Sequence, residues 1–169
     1  THNMICSCYG FILIDNAEEL KEKIPLEKEE QDRVDAGESV NVFLVVKDIS
    51  DSKEPEFAED KRKVEQEAKK GKNTIGMFLD LTLFKQIGND VSTRKPIANT
   101  RGEVTIHVKL PDSLINKDKS VTRTYHIMRV HNGVVSLLDC RFDAKAGAIG
   151  FETDAFSTYA LVYQDVKND

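Results

Sequence analysis

The stretch Ile149-Gly-Phe-Glu-Thr-Asp-Ala-Phe-Ser-Thr-Tyr-Ala-Leu-Val-Tyr163 reads as strand, corner and strand. Ile149 and Phe151 alternate with smaller or polar residues on the way in, and a second apolar run from about Ser157 to Tyr163 leads out. Upstream, Asp143 to Gly147 has turn composition. Asn132-Gly133 is the sharper signal, since this dipeptide tolerates positive φ at both centres of a two-residue hairpin. Counting outward from it, Val130 faces Val135, Met128 faces Leu137 and His126 faces Asp139. The opposite side pairs Arg129 with Ser136, Ile127 with Leu138 and Tyr125 with Cys140. The first side is the more apolar near the turn, so it is expected to face the core together with Ile149 and Phe151.

The same alternation recurs further upstream. Val104, Ile106, Val108 and Leu110 alternate with Glu103, Thr105, His107 and Lys109, a strand with one wet face that Pro111 ends. Met77, Leu79, Leu81 and Leu83 form one face of another strand, which stops near Gly88-Asn89-Asp90. Val40, Val42, Leu44 and Val46 mark a largely buried one. Between the last two, Pro55 to Lys70 has helix-forming composition, acids early, lysines late and Gly71 as a stop. Its apolar stripe, Phe57, Val64 and Ala68, is narrow, so this helix is expected on a surface as a crossover. Ala17 to Ala36 is charged and helix-favouring but broken by Pro25, which predicts two short helical pieces, the second ending at Gly37.

Six or seven short strands with turns between them imply a mostly β chain: an antiparallel β-sandwich of immunoglobulin-like architecture, with short N-terminal helical pieces and one crossover helix. Residues 1–26 read as an N-terminal extension with one strand and a short helix, and residues 27–169 as the sandwich. A chain of 169 residues can bury one substantial core but would divide thinly into two.

A formal charge of −5 argues against a nucleic-acid surface, which needs clustered Lys and Arg. No apolar run approaches the roughly 20 residues of a membrane span; Phe11-Ile-Leu-Ile14 is interrupted after four. No targeting signal is visible at the start, and a mature fragment of a longer protein would look the same.

The three cysteines, Cys6, Cys8 and Cys140, cannot all pair within one chain. Cys6 and Cys8 would point the same way on a strand, so either all three are reduced or one of the two joins Cys140. His126 and His131 point to opposite sides of their strand and, with His107, make a poor metal set. His126 opposite Asp139 reads as a cross-strand polar pair, since no nucleophile or oxyanion donor accompanies it. Asp48, Asp51, Glu54, Glu56, Glu59 and Asp60 lack the glycine and terminal glutamate of a helix-loop-helix calcium site and read as solvated charges at a helix start. Ser113 and Ser157 have no nucleophile-elbow context. Gly71 and Gly76 are spaced as in a phosphate-cradling loop, but Met77 stands where that loop needs lysine. The expected site is therefore none: no catalytic, cofactor-binding or metal residues, and no cofactor.

Three blocks carry a resemblance: Gly37-Glu-Ser-Val-Asn-Val-Phe-Leu-Val-Val-Lys-Asp48, Thr122-Arg-Thr-Tyr-His-Ile-Met-Arg-Val-His-Asn-Gly133 and Phe151-Glu-Thr-Asp-Ala-Phe-Ser-Thr-Tyr-Ala-Leu-Val-Tyr163. From about Glu27 to Asp165 the chain resembles a β-sandwich module near the C-terminal ends of large secreted or wall-attached proteins of Gram-positive anaerobes. Such proteins are often rich in bacterial immunoglobulin-like or leucine-rich repeats. The resemblance implies an extracellular, non-catalytic role, structural or adhesive. Its partners would be other domains of a larger surface protein, or a host or cell-wall glycan or protein. A carbohydrate-binding module is the competing expectation. Against it, the chain has no Trp and only four Tyr to stack on sugar rings.

Overall fold

The computed structural model describes residues 3–7, 10–14 and 17–169, with side chains from residue 20 onward. The chain is a mostly β, antiparallel β-sandwich with two short N-terminal helices and one crossover helix. Its strands are β1 (Asn3–Ser7), β2 (Gly10–Ile14), β3 (Val40–Asp48), β4 (Thr74–Ile87), β5 (Lys95–Ile97), β6 (Asn99–Lys109), β7 (Val121–His131), β8 (Val134–Leu138), β9 (Arg141–Asp143), β10 (Ala148–Ala155) and β11 (Thr158–Lys167). The helices are α1 (Ala17–Glu22), α2 (Lys28–Asp35) and α3 (Pro55–Lys70). The first sheet runs β1-β2-β6-β10-β9, the second β3-β4-β11-β7-β8, with β5 added along β4. Among the described residues there are thus more strands than the six or seven expected; β5 and β9 are only three residues long.

Alternation does what the sequence implies. Val104, Ile106, Val108, Leu110, Ile149 and Phe151 of the first sheet meet Val40, Leu44, Val46, Met77, Leu79, Leu81, Leu83, Tyr125, Ile127, Tyr159 and Leu161 of the second. Leu20 and Ile24 join this core from α1 and the turn after it. α3 starts at Pro55, whose missing N–H costs nothing in the first turn, and stops at Gly71. Its Phe57, Val64 and Ala68 pack on the outer side of the second sheet against Ile49, Phe78, Met128, Val130, Ala160 and Val162. The second sheet is therefore covered on both faces, and the molecule has three layers: sheet, sheet, helix.

This layering corrects one expectation. The hairpin register is as counted, with Asn132 at φ 51° and Gly133 at φ 78° in the turn and Met128 opposite Leu137. The face is not. Met128 and Val130 turn away from Ile149 and Phe151 and lie under α3. Tyr125 and Ile127 enter the core between the sheets, with Leu138 packed against it. Both faces of β7 are apolar, so polarity alone could not choose between them; the helix, remote in sequence, accounts for the second. Leu137 falls beyond its cover and is 58% exposed.

Ile127→Ala and Met128→Ala should then each lower unfolding free energy by about 2–5 kcal/mol, although the two side chains point to opposite faces. A sheet with one wet face would make only one of them costly. Denaturant melts of the two variants distinguish these outcomes. Gly133→Val should also destabilise, since a β-branched residue resists the positive φ at that position.

Candidate functional site

The most concentrated polar chemistry lies where β10 passes from the first sheet into β11 of the second. Only Phe156 and Ser157 separate the two strands. Tyr159, 1% exposed, sends its hydroxyl back to the Ala155 carbonyl four residues upstream. The Tyr159 Oη also lies 2.6 Å from Oγ1 of the fully buried Thr153, which is 3.0 Å from Arg129 Nη1. A guanidinium can only donate. Thr153 Oγ1 therefore accepts from Arg129, and it also lies 3.1 Å from the Ala155 carbonyl, so either hydroxyl can donate across the Thr153–Tyr159 contact while the other donates to that carbonyl. Asp154 Oδ1, at 3.3 Å from Arg129 Nη1, balances the charge. Burial pushes the Tyr159 phenol up to about 12, so it stays a proton donor at any ordinary pH. Arg129 Nε is buried with no protein partner, a site suited to an ordered water. The arrangement has the form of a tyrosine corner. Beside it, Ser157 Oγ is taken up by the Val130 carbonyl.

A second polar group lies at the α2 end of the sandwich. Glu30 Oε1 accepts from Lys85 Nζ at 2.7 Å and from the Glu27 amide at 2.8 Å, and Lys85 also donates to the Pro25 carbonyl at 2.8 Å. Burial pushes the Glu30 carboxyl up, but the hydrogen bonds from Lys85 and Glu27 outweigh it and hold it below its usual range. Above this pair is a depression of about 150 Å³ rimmed by Glu27, Arg33, Ser92, Thr93 and Lys95. Its rim charges are neutralised in place: Lys95 by Glu27 at 3.1 Å, Arg33 by Glu38 and Asp90 at 2.6 and 3.1 Å. It is well below the roughly 300 Å³ at which small-molecule pockets begin.

The acidic segment before α3 behaves differently from a cation site. Its carboxylates do not gather as one set: Asp48 caps the Ser50 amide, Glu54 and Glu56 share a hydrogen bond, Glu59 pairs with Arg62, and Asp60 accepts from Thr158. What converges instead is the backbone. The carbonyls of Ile49, Ser50 and Ser52 surround Lys61 Nζ at 2.9, 3.1 and 3.0 Å. The chain thus fills its own carbonyl ring with an ammonium, and the Lys61 Nζ also sits 5.4 Å over the Phe78 ring.

The remaining candidates lie apart. His107 is on β6 of the first sheet, and His126 and His131 are on β7 of the second. The β7–β8 ladder stops at Ile127 and Leu138, one step short of pairing His126 with Asp139. Among the described residues no three of His, Cys, Asp and Glu come together as a metal-holding group. Cys140 is a free thiol whose Sγ contacts the Tyr125 carbonyl at 3.2 Å. Burial, aided by Asp139, pushes it up to about 11, which leaves it a poor nucleophile. Cys8 lies outside the described residues, as does the side chain of Cys6. Gly71 ends α3 and Gly76 sits inside β4, the reverse of the strand-to-helix order of a phosphate loop. Ser113 lies in a short helical turn after Pro111.

Lys61, Arg129 and Thr153 are the residues that sequence reasoning passed over. Their partners are far away in the chain or are main-chain carbonyls, and neither leaves a local pattern. Comparison with protein-family models, with curated proteins and with solved structures yields no match.

Tyr159→Phe should cost about 1–3 kcal/mol, because it leaves buried acceptors unsatisfied while keeping the ring. Lys61→Met, which keeps the stem and removes the ammonium, should likewise destabilise by about 1–3 kcal/mol. Thermal melts of both variants check these values. The lowered Glu30 carboxyl contributes stability that is present above its ordinary pKa of about 4.3 and is lost as pH falls through its folded value. Glu30→Gln should therefore melt lower at pH 7 and show a shallower loss of stability on acidification.

Proposed function

We propose that the chain is a non-catalytic structural or adhesive module of an extracellular bacterial surface protein, one that spaces or terminates other domains. The observation that supports this most is the internal use of its polar side chains. Arg129, Thr153 and Tyr159 tie a corner, Glu30 pairs with Lys85, and Lys61 fills a carbonyl ring. A spacer is served by such internal pairing because it must persist as one folded unit, whereas a reactive centre leaves groups poised toward an open cleft. The resemblance of the blocks at Gly37–Asp48, Thr122–Gly133 and Phe151–Tyr163 supplies the surface-protein setting.

The competing carbohydrate-binding reading needs flat rings open to solvent. Tyr125 is buried and donates its hydroxyl to the Leu114 carbonyl at 2.7 Å, and Tyr159 is buried at the corner. Tyr163 is covered by the Arg123 guanidinium, 3.9 Å above its ring. Phe142 is 39% exposed but leans on Tyr125 with centroids 5.0 Å apart. These commitments weigh against a sugar platform.

An antibody raised against the chain should label intact source cells, and mild surface proteolysis should remove the signal. Labelling only after lysis would overturn the surface reading. On a glycan array the chain should show no saturable binding; a dissociation constant below about 1 mM would transfer the argument to the carbohydrate reading.

A further inference from the structure

β8 is the open edge of the second sheet, and it lacks the devices that normally protect an edge. Its sequence, Val-Val-Ser-Leu-Leu from Val134 to Leu138, contains no charge, proline or glycine. Val134 and Leu137 are 63% and 58% exposed. The other outer strands differ. β9 is three residues long and carries Arg141 and Asp143, while β3 has β1 lying alongside it.

The hairpin settles which backbone groups are free. In a two-residue turn the pair flanking it, His131 and Val134, exchanges both hydrogen bonds, and bonding then alternates along the ladder. Ser136 and Leu138 therefore point their N–H and C=O toward β7, whereas Val135 and Leu137 point theirs outward. Among the described residues no side chain or loop bonds those outward groups.

We propose that this edge is a homodimer seam, in which β8 of a second copy pairs antiparallel about a two-fold axis through Ser136. In that register Val135 lies opposite the second copy's Leu137, and Leu137 opposite the second copy's Val135. All four residues present outward amides and carbonyls, so both pairs exchange hydrogen bonds. A shift by one residue would set outward groups against Ser136, whose groups are already used. The exposed Leu137 side chain gains an apolar neighbour on the same face.

Charge selects the second copy as the occupant. The two-fold places Asp139 opposite the second copy's Gly133, and the Gly133 carbonyl is where Lys63 Nζ rests, at 2.9 Å. Asp139 is exposed, and among the described residues it forms no ion pair. Asp139 immediately follows the last residue of β8, and Lys63 of α3 reaches the turn at the strand's other end. One end of β8 is thus positive and the other negative, and the axis brings opposite ends together twice.

Sedimentation equilibrium of the full chain tests this. The mass should rise reversibly with concentration from 19.1 kDa to twice that value. Leu137→Lys should weaken the dimer by at least about tenfold, since an edge lysine blocks strand pairing. Its circular dichroism and melting in dilute solution should match the parent, because the side chain it replaces is mostly exposed in the monomer. Lys63→Glu and Asp139→Lys should each weaken the dimer, and combining them should restore it. A chain that stays monomeric up to about 1 mM, or a dimer indifferent to Leu137→Lys, would overturn the seam. A double variant no tighter than the single ones would overturn the register.

Discussion

The structure turns on how few residues carry the chain from one sheet to the other at the β10–β11 corner. A sandwich core is thick, and crossing it in two residues forces backbone groups into the interior, where each unpaired one is costly. Several groups at this corner find partners. The Phe156 amide donates to the Ala98 carbonyl at 2.9 Å, the Ser157 carbonyl accepts from the Leu81 amide at 2.9 Å, and Ser157 Oγ reaches the Val130 carbonyl. The Arg129–Thr153–Tyr159 relay closes the remaining side. The corner thereby locks β4, the β5–β6 junction, β7 and both of its own strands into one arrangement.

From that lock β11 runs through the middle of the second sheet between β4 and β7. Thr158 to Val162 are all 3% exposed or less, a run with no solvent-facing alternation. Such a strand has to be covered on both faces. The first sheet supplies one cover and α3 the other, which explains why the β3-to-β4 connection is a helix rather than a hairpin. The α1–α2 segment closes the end of the sandwich around the Glu30–Lys85 pair. The Pro25 carbonyl and the Glu27 amide add hydrogen bonds to this pair, while Glu30 Oε2 is buried without a partner.

Where a feature depended on neighbours in sequence, the sequence carried it. Pro55 and Gly71 bracket α3 at both ends, Pro25 separates α1 from α2, and Asn132-Gly133 fixes the register of β7 on β8. Where a feature depended on partners far away in the chain, it did not. Met128 and Ile127 are both apolar, and only α3, some sixty residues upstream, accounts for the face that Met128 takes. Arg129 has no local mark as a partner of Thr153. Lys61 looks like any helix lysine until the loop at 49–52 folds its carbonyls around it. The filled carbonyl ring behind the acidic segment left no mark in the sequence, because main-chain oxygens have no sequence signature.

A chain folded this way derives its stability from the centre outward, with β11 as the last element to open and β8 among the first. Native-state amide hydrogen exchange reads that order directly. The amides of Leu161 and Val162 should exchange only through global unfolding, with protection equal to the free energy from denaturant melts, while the outward Val135 and Leu137 amides of the monomer exchange orders of magnitude faster. Exchange of the β11 amides through a smaller opening, with β3 or β6 still protected, would contradict the account.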